Sequence, residues 1–285
     1  MAVGLSTQAL QRNQDAITLA RELSQPWLLA WVLDYSAVIY QLRGEEQLTQ
    51  KEAETALALA REQGFVHVVI DATILRGWSL VEQGQGEEGI AQVRQCKATL
   101  QIMGAELART YSLALLAEGY RRIGQVEEGL RTLDEALELV NKHDEHFYEA
   151  ELYRLKGELL LAQASKSQNV KCKTQKSKPA DAQSSPFPQA PSLKPQAPSG
   201  VEQEVEGLFL TAINVARHQQ AKSLELRAVI SLVRLRQQQA QDTQSGTQQT
   251  QHGAGSLKLT RCYTPCITGS PKGSTPRTCK KLRHF

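Results

Sequence analysis

Aromatic residues and long apolar runs are both scarce in this sequence. Phe, Trp and Tyr together make up 5% of the 285 residues, so a core has to be built mainly from aliphatic and small side chains. The most apolar stretch, residues 26–40, is shorter than the roughly 20 residues that cross a bilayer, and Asp34 interrupts it. The N-terminus also lacks a basic region followed by an apolar run. These absences argue against membrane and secreted proteins, and we predict a cytoplasmic location.

The motifs that carry common chemistry are also missing. No GxxxxGK[ST] phosphate loop occurs, and five irregularly spaced cysteines give no disulfide framework. Cys262 and Cys266 have a spacing found in zinc sites, but no second pair completes four ligands. His143 and His146 lack a third ligand, and a polar turn between helices accounts for them equally well. We predict no metal, no cofactor and no catalytic residue, since an enzyme would need converging titratable groups.

Positive charge is concentrated in two segments of the chain. The net charge is +3, but residues 165–200 carry +5 and residues 253–285 carry +7, which leaves −9 for the remainder. An acidic body argues against a nucleic-acid-binding core. The basic tail has few aromatic residues for base stacking, so nucleic acid is not a predicted partner.

A repeat of about 40 residues runs through the first half of the chain. Gly44, Gly84 and Gly124 are each 40 residues apart. Seven residues before each glycine is a small residue, and this series continues one repeat further: Ala37, Gly77, Ala117 and Gly157. Four residues before each glycine is a large apolar residue, and this series continues likewise: Tyr40, Leu80, Tyr120 and Leu160. Small residues let two helices approach closely, and a glycine past a helix end adopts the left-handed conformation that stops the helix.

This pattern predicts an all-α fold, an α-solenoid of antiparallel helix pairs of the tetratricopeptide type. The first helices of the pairs, which we call A helices, are predicted near 26–42, 65–83, 105–123 and 146–164. The second helices, called B helices, are predicted near 47–63, 86–103 and 126–142, with an incomplete one near 8–24.

Two segments interrupt or end this stack. Residues 165–200 are rich in Lys, Pro, Ser and Gln, and we interpret them as a disordered linker inserted between the two helices of one repeat. Helical periodicity resumes over 201–239. The predicted domains are therefore repeats over 1–164, a linker over 165–200, a continued stack over 201–239 and a disordered basic tail over 240–285.

Two stretches of the chain resemble a known family. They read GAELARTYSLALLAEGYRRIGQVEEGLRTLDEALELVNKHDEHFYEAELYRLKGELLLAQ and ARHQQAKSLELRAVISLVRLRQQQ. They are similar to the tetratricopeptide region that closes large bacterial signalling proteins, in which an adenylate/guanylate cyclase-like domain and an ATPase module precede the repeats. The resemblance covers about 25–164 and 201–239 and implies signal transduction, with cyclase or ATPase modules of a related polypeptide as partners. Neither module is present in this sequence.

The last residues depart from that resemblance. The family continues with a segment similar to WFTEGFDTPDLQEAKALL, whereas this chain reads CYTPCITGSPKGSTPRTCKKLRHF. Reverse translation in a shifted frame is compatible with the family segment. We therefore hypothesise that the tail from about Gly253 is a frameshifted remnant of a last repeat, and that the apolar face of 221–239 is left uncovered.

The surface formed by the A helices is the predicted binding groove. Alignment on the small residue gives its candidate residues: Trp31, Asp71, Trp78, Tyr111, Glu118, Arg121, Arg122, Glu151, Arg154 and Glu158. Trp and Arg are frequent anchors at interfaces, so we predict a non-catalytic scaffold that binds a partner helix or an acidic peptide there. The alternatives are solvated or core positions for these residues, and a truncated regulatory segment of a cyclase–ATPase protein.

Overall fold

A computed structural model describes the backbone of residues 2–104, 109–175 and 200–254, and the side chains of 7–104, 109–167 and 200–241. Within those ranges the chain forms α-helices and no strand. The helices are α1 (Ala2–Glu22), α2 (Pro26–Arg43), α3 (Glu46–Gln63), α4 (Val66–Glu82), α5 (Gly86–Met103), α6 (Arg109–Arg122), α7 (Val126–His143), α8 (Glu149–Gln175), α9 (Gly200–His218) and α10 (Lys222–Ala254). The predicted all-α stack of helix pairs is confirmed.

The chain divides into two compact units, Met1–Thr243 and Gln244–Phe285. The first unit holds α1 to α9 and the greater part of α10, and it contains every side chain discussed below. Of the second unit, the structure describes only the backbone of the last part of α10.

Left-handed residues follow every helix from α1 to α9 except α8 among the described residues. Gly44 follows α2 with φ 74°, and its N–H lies 2.9 Å from the carbonyl oxygen of Gln41. A side chain rarely adopts this conformation, which explains the glycine series at this place. Asp144 takes the same conformation after α7, with φ 58°, where the series has no glycine.

The A helices are α2, α4, α6, α8 and α10, and the B helices are α3, α5, α7 and α9, with α1 before the first pair. Successive A helices from α2 to α8 contact one another, whereas no comparable contact joins successive B helices among the residues described. Helices that lie closer together form the inner side of a curved stack. We call the surface of the A helices the inner face.

Small residues set the distance between paired helices. A Cβ atom added to Gly89 on α5 would lie 2.3 Å from the carbonyl oxygen of Gly77 on α4. One added to Gly157 on α8 would lie 2.5 Å from the ring of Phe209 on α9. At both contacts the small residue lets the paired helices approach closely, as predicted.

Two helices run further than predicted. α8 continues to Gln175 rather than ending at 164, and α10 continues to Ala254 rather than ending at 239. Both extensions are free of proline. The first contains three Lys and two Gln residues and the second five Gln and two Ala residues, all good helix formers. The remaining parts of the predicted disordered linker and tail, 176–199 and 255–285, lie outside the described residues.

α10 has one exposed apolar side and one buried apolar side. Leu226, Ile230 and Val233 keep 50%, 40% and 46% of their surface. On the opposite side of the helix, Ala228, Leu232 and Leu235 are buried against α8 and α9. The helices in the described ranges include none long and apolar enough to span a membrane.

Candidate functional site

The ten predicted groove residues all lie on A helices. They are Trp31 on α2, Asp71 and Trp78 on α4, Tyr111, Glu118, Arg121 and Arg122 on α6, and Glu151, Arg154 and Glu158 on α8. The structure divides them into a charged network, two buried aromatic residues, and a more open part at α2 and α4. Each group has a different chemistry.

A network of arginines and glutamates joins α6 and α8. Arg154 donates to both carboxylate oxygens of Glu151, at 2.9 and 2.7 Å, and to Glu158 at 2.5 Å. The guanidinium of Arg121 lies 3.4 Å from Glu158 and 3.9 Å from Glu118. Arg121 and Arg154, which were predicted to bind an acidic peptide, are thus matched by carboxylates of the same chain.

Burial makes this network strong. Glu151 and Arg154 are 1% and 8% exposed. Burial by itself would raise the pKa of Glu151, but the nearby charge and hydrogen bonds of Arg154 outweigh it and hold the pKa below its ordinary value. Burial opposes the charge of Arg154 as well, and Glu151 outweighs it, so the pKa of Arg154 is raised. Both side chains are therefore ionised.

Arg122 is the most exposed of the three predicted arginines. Its guanidinium forms a two-point contact with Glu82 on α4, at 2.8 and 2.6 Å. The side chain of Arg122 keeps 47% of its surface, whereas that of Glu82 keeps 15%. A surface pair of this kind contributes little stability, but it aligns α4 with α6.

Trp78 and Tyr111 are core residues with polar tips. They are 5% and 8% exposed, and neither offers a partner much surface. The indole N–H of Trp78 donates to Glu118 at 2.9 Å, and the hydroxyl of Tyr111 donates to Gln41 at 2.8 Å. The apolar bodies are buried while the polar atoms are satisfied, as is usual for buried Trp and Tyr.

Arg227 on α10 belongs to the same network and was missed by the sequence analysis. It contacts Glu151 at 3.2 Å and donates to the carbonyl oxygen of Leu42, at the end of α2, at 2.5 Å. Its distance from Glu151 along the chain, 76 residues, equals one repeat of 40 plus the 36 residues of 165–200. Continuing the groove register across the insertion would have found it.

Two acidic side chains at the α2–α4 end have no cationic partner of this kind. Asp34 is 3% exposed, and its Oδ1 atom accepts no hydrogen bond from the described residues. Burial raises the pKa of Asp34 well above its ordinary value, and the negative charge of Asp71 adds to the effect. Burial raises the pKa of Asp71 to about 6, against a smaller opposing effect of His67. Where these carboxyls are ionised, no described Lys or Arg forms a salt bridge with either of them.

Three aromatic rings form an exposed ladder along α2. Trp27 and Trp31 meet edge to face with centroids 6.1 Å apart, and Trp31 stacks on Tyr35 at 5.9 Å. Trp27 and Tyr35 are 57% and 58% exposed, and Trp31 is half-buried. We call these residues the aromatic ladder. Their spacing of four residues, one helical turn, was the sequence signal that could have identified Trp27 and Tyr35.

Comparison with known proteins gives structural neighbours only. No family model matches the sequence, and no curated protein matches it. Two similar structures are of Podosopora anserina kinesin light chain TPR-like repeats. The first, a single-substitution variant, is 17% identical, covers 77% of this chain and 92% of that one, and has a TM-score of 0.45. The second is 16% identical, covers 79% of this chain and 95% of that one, and has a TM-score of 0.44. BtubC from P. vanneervenii is 13% identical over 93% of this chain and 99% of that one, with a TM-score of 0.44. None of the three is described as a cyclase or an ATPase, so the wider resemblance predicted from the sequence finds no support.

Replacing Asp34 with asparagine is expected to stabilise the protein by about 1–2 kcal/mol at about pH 8, because the variant no longer buries an unpaired carboxylate. A carboxyl whose pKa is raised by folding favours the folded state below its ordinary pKa of 3.8, and this contribution is lost as the pH rises through the folded value. The advantage of the variant should therefore shrink at about pH 5. Urea denaturation followed by circular dichroism at both pH values measures it.

The matched control for this experiment is Asp134→Asn. Asp134 is 57% exposed and pairs with Lys156 on the surface, so we expect a change below about 0.5 kcal/mol at either pH. If Asp34→Asn gave no gain at about pH 8, the carboxylate of Asp34 would have to be satisfied in the folded protein.

Proposed function

We propose that this chain is a non-catalytic scaffold for protein–protein interaction, and that it binds a helix or peptide of a partner protein on the inner face. The observation that carries the proposal is the aromatic ladder. Contiguous exposed aromatic surface is uncommon on a protein without a partner, and Trp and Tyr are frequent anchors at interfaces. An amphipathic helix would match the ladder, because its own apolar side chains also recur once per turn.

The charged network supports this assignment by fixing the surface around the ladder. Glu151 is held by Arg154 on its own helix and by Arg227 on α10, and Arg227 also contacts the end of α2. These contacts tie α10 to α8 and to the end of α2. A preorganised surface loses less conformational entropy on binding.

Of the ten predicted residues, we therefore assign direct contact with the partner to Trp31 and Asp71. Both belong to the more open end of the inner face, at α2 and α4. The others are assigned a positioning role, since they are engaged with each other, with Glu82, Gln41 or Arg227. This assignment narrows the sequence prediction, which counted tryptophans and arginines alike as anchors.

Trp31→Ala is expected to weaken partner binding at least about tenfold, as loss of a central aromatic anchor does. The measurement uses peptides selected on the full chain from a display library of random helical peptides. Their affinity for the unchanged protein and for the variant is compared by isothermal titration calorimetry.

Ile102→Ala supplies the control for this prediction. Ile102 lies at the end of the B helix α5 and is 87% exposed, so it is an apolar surface residue that is not on an A helix. We expect the Ile102→Ala variant to bind the selected peptides with unchanged affinity. The proposed surface would be wrong if both variants bound the selected peptides as the unchanged protein does.

A further inference from the structure

We infer that Asp34 and Asp71 form a recognition site for a lysine or arginine side chain of the protein partner. The inference rests on the proposed function and adds the chemistry by which the inner face would select its partner. Three features of the α2–α4 end support it: an unsatisfied buried carboxylate, the way the chain satisfies a carboxylate at an equivalent place, and the aromatic residue beside it.

The first feature is the state of Asp34. The residue is 3% exposed, yet its Oδ1 atom has no hydrogen-bond donor among the described residues. No salt bridge of the described residues includes Asp34 or Asp71. Burial and the charge of Asp71 raise the pKa of Asp34, and burial raises that of Asp71 against a smaller opposing effect of His67. Removing a carboxylate from water without a donor or a cation is costly, so this arrangement is unfavourable unless a ligand completes it.

The second feature is an internal example in the same register. Asp71, Tyr111 and Glu151 follow one another at intervals of 40 residues. Glu151 is satisfied by the guanidinium of Arg154 on its own helix and by that of Arg227, which reaches it from α10. At the α2–α4 end, no described residue supplies the corresponding guanidinium. A basic side chain of the partner would take the place that Arg227 takes beside Glu151.

The third feature is Trp31. It lies three residues before Asp34 on α2, which places the two side chains on neighbouring turns of one face. The aromatic ladder would pack against the apolar stem of a lysine or the plane of a guanidinium, while the carboxylates bind the charged group. A site with an apolar wall and an acidic end fits a long basic side chain better than a small cation.

A metal ion is a weaker explanation for the acidic pair. Calcium and magnesium take six or more oxygen ligands, and several of them are normally carboxylates. Within the described ranges, no group of three or more His, Cys, Asp or Glu side chains is placed to hold a metal. Two carboxylates beside an aromatic wall favour an organic cation instead.

The test uses the full chain and two blocked peptides, tetra-arginine amide and tetra-glutamate amide, in isothermal titration calorimetry at about pH 8. We expect tetra-arginine to bind and tetra-glutamate not to bind. The double variant Asp34→Asn/Asp71→Asn should weaken tetra-arginine binding about tenfold or more, because replacing the carboxylates with neutral amides removes the charge that pairs with the guanidinium. Asp71→Asn alone should weaken it as well, by a smaller factor.

The control must match the change in net charge, since the acidic body attracts any cationic peptide. Glu54→Gln/Glu128→Gln removes two carboxylates whose side chains are 46% and 47% exposed and which lie on the B helices α3 and α7. We expect it to change tetra-arginine affinity less than about twofold. The melting temperature of the Asn double variant should rise by about 2–4 °C, which separates lost binding from lost folding.

Equal weakening by the two double variants, or no binding of tetra-arginine to the unchanged protein, would overturn the inference. The proposed function would survive that result if peptides selected from the display library still required Trp31. Selected peptides that are rich in Lys or Arg and that lose affinity in both Trp31→Ala and Asp71→Asn would support the two proposals together.

Discussion

Glu151→Ala is expected to lower the free energy of unfolding by about 3 kcal/mol, the largest effect of any single charged residue on the inner face. The carboxylate is 1% exposed and accepts hydrogen bonds from Arg154 at 2.7 Å and from Arg227 at 3.2 Å. Its removal leaves guanidinium charge buried with fewer partners. Arg154 keeps its 2.5 Å contact with Glu158. We therefore expect the loss of stability to lie in the lower part of the range measured for broken buried ion pairs.

Urea denaturation followed by circular dichroism gives the change in stability, and Glu128→Ala is the control. Glu128 pairs with Arg131 three residues later, at 2.8 Å, and both side chains are largely exposed. An exposed pair contributes about 0.5 kcal/mol or less. Comparable losses in the two variants would show that burial gives the Glu151 network no special strength.

Acid should affect the same network in the unchanged protein. The pKa of Glu151 is held below its ordinary value of 4.5 by Arg154 and Arg227, which outweigh the effect of burial. The stabilising contribution is therefore present above that ordinary value and is lost as the pH falls through the lower folded value. This is opposite in sign to the contribution of Asp34, whose pKa is raised.

Gly89→Ala is expected to cost about 3 kcal/mol of stability, because it forces α4 and α5 apart. The new Cβ atom would lie 2.3 Å from the carbonyl oxygen of Gly77 and 2.8 Å from a methyl group of Val81. The first of these atoms belongs to the backbone of a packed helix, so it moves only if the helix moves. Overpacking of this kind typically costs about 1–3 kcal/mol, and the contact with backbone places this site at the upper end.

A second helical glycine provides the control for that prediction. Gly207 on α9 has no atom within 4 Å of the position where a Cβ would be added. Gly207→Ala should stabilise the protein by up to about 1 kcal/mol, since alanine favours the helix more than glycine does. Thermal and urea denaturation of both variants measure the contrast. Destabilisation by Gly207→Ala, or none by Gly89→Ala, would contradict the close approach of α4 and α5.

The candidate site shows where sequence reasoning stopped. The repeat register placed all ten candidate residues on A helices, since position within a 40-residue repeat follows directly from the small residues and glycines. Burial does not follow from that register. Trp31 and Tyr111 share one position, but Trp31 is half-buried, whereas Tyr111 is 8% exposed and packs edge to face on Tyr148.

The exposure of α2 differs because, among the described residues, α2 packs closely with one A helix, α4. α4 and α6 each pack with an A helix on both sides, and their side chains at equivalent positions are covered. Tyr35 is 58% exposed, while Leu75 and Leu115, one and two repeats later, are 1% and 2% exposed. The aromatic ladder therefore lies on the A helix that packs closely with one other A helix among the described residues.

The sequence by itself determined the class of fold, the alternation of A and B helices and, apart from the start of α1 and the ends of α8 and α10, the helix ends within a few residues. These depend on interactions between residues that are close along the chain: helical periodicity, small residues at a fixed interval and glycines after helices. The tertiary structure alone decided which charges are paired. Arg227 meets Leu42 from 185 residues away, and only the packing of α10 against the A helices brings the two together while leaving Asp34 without a cation.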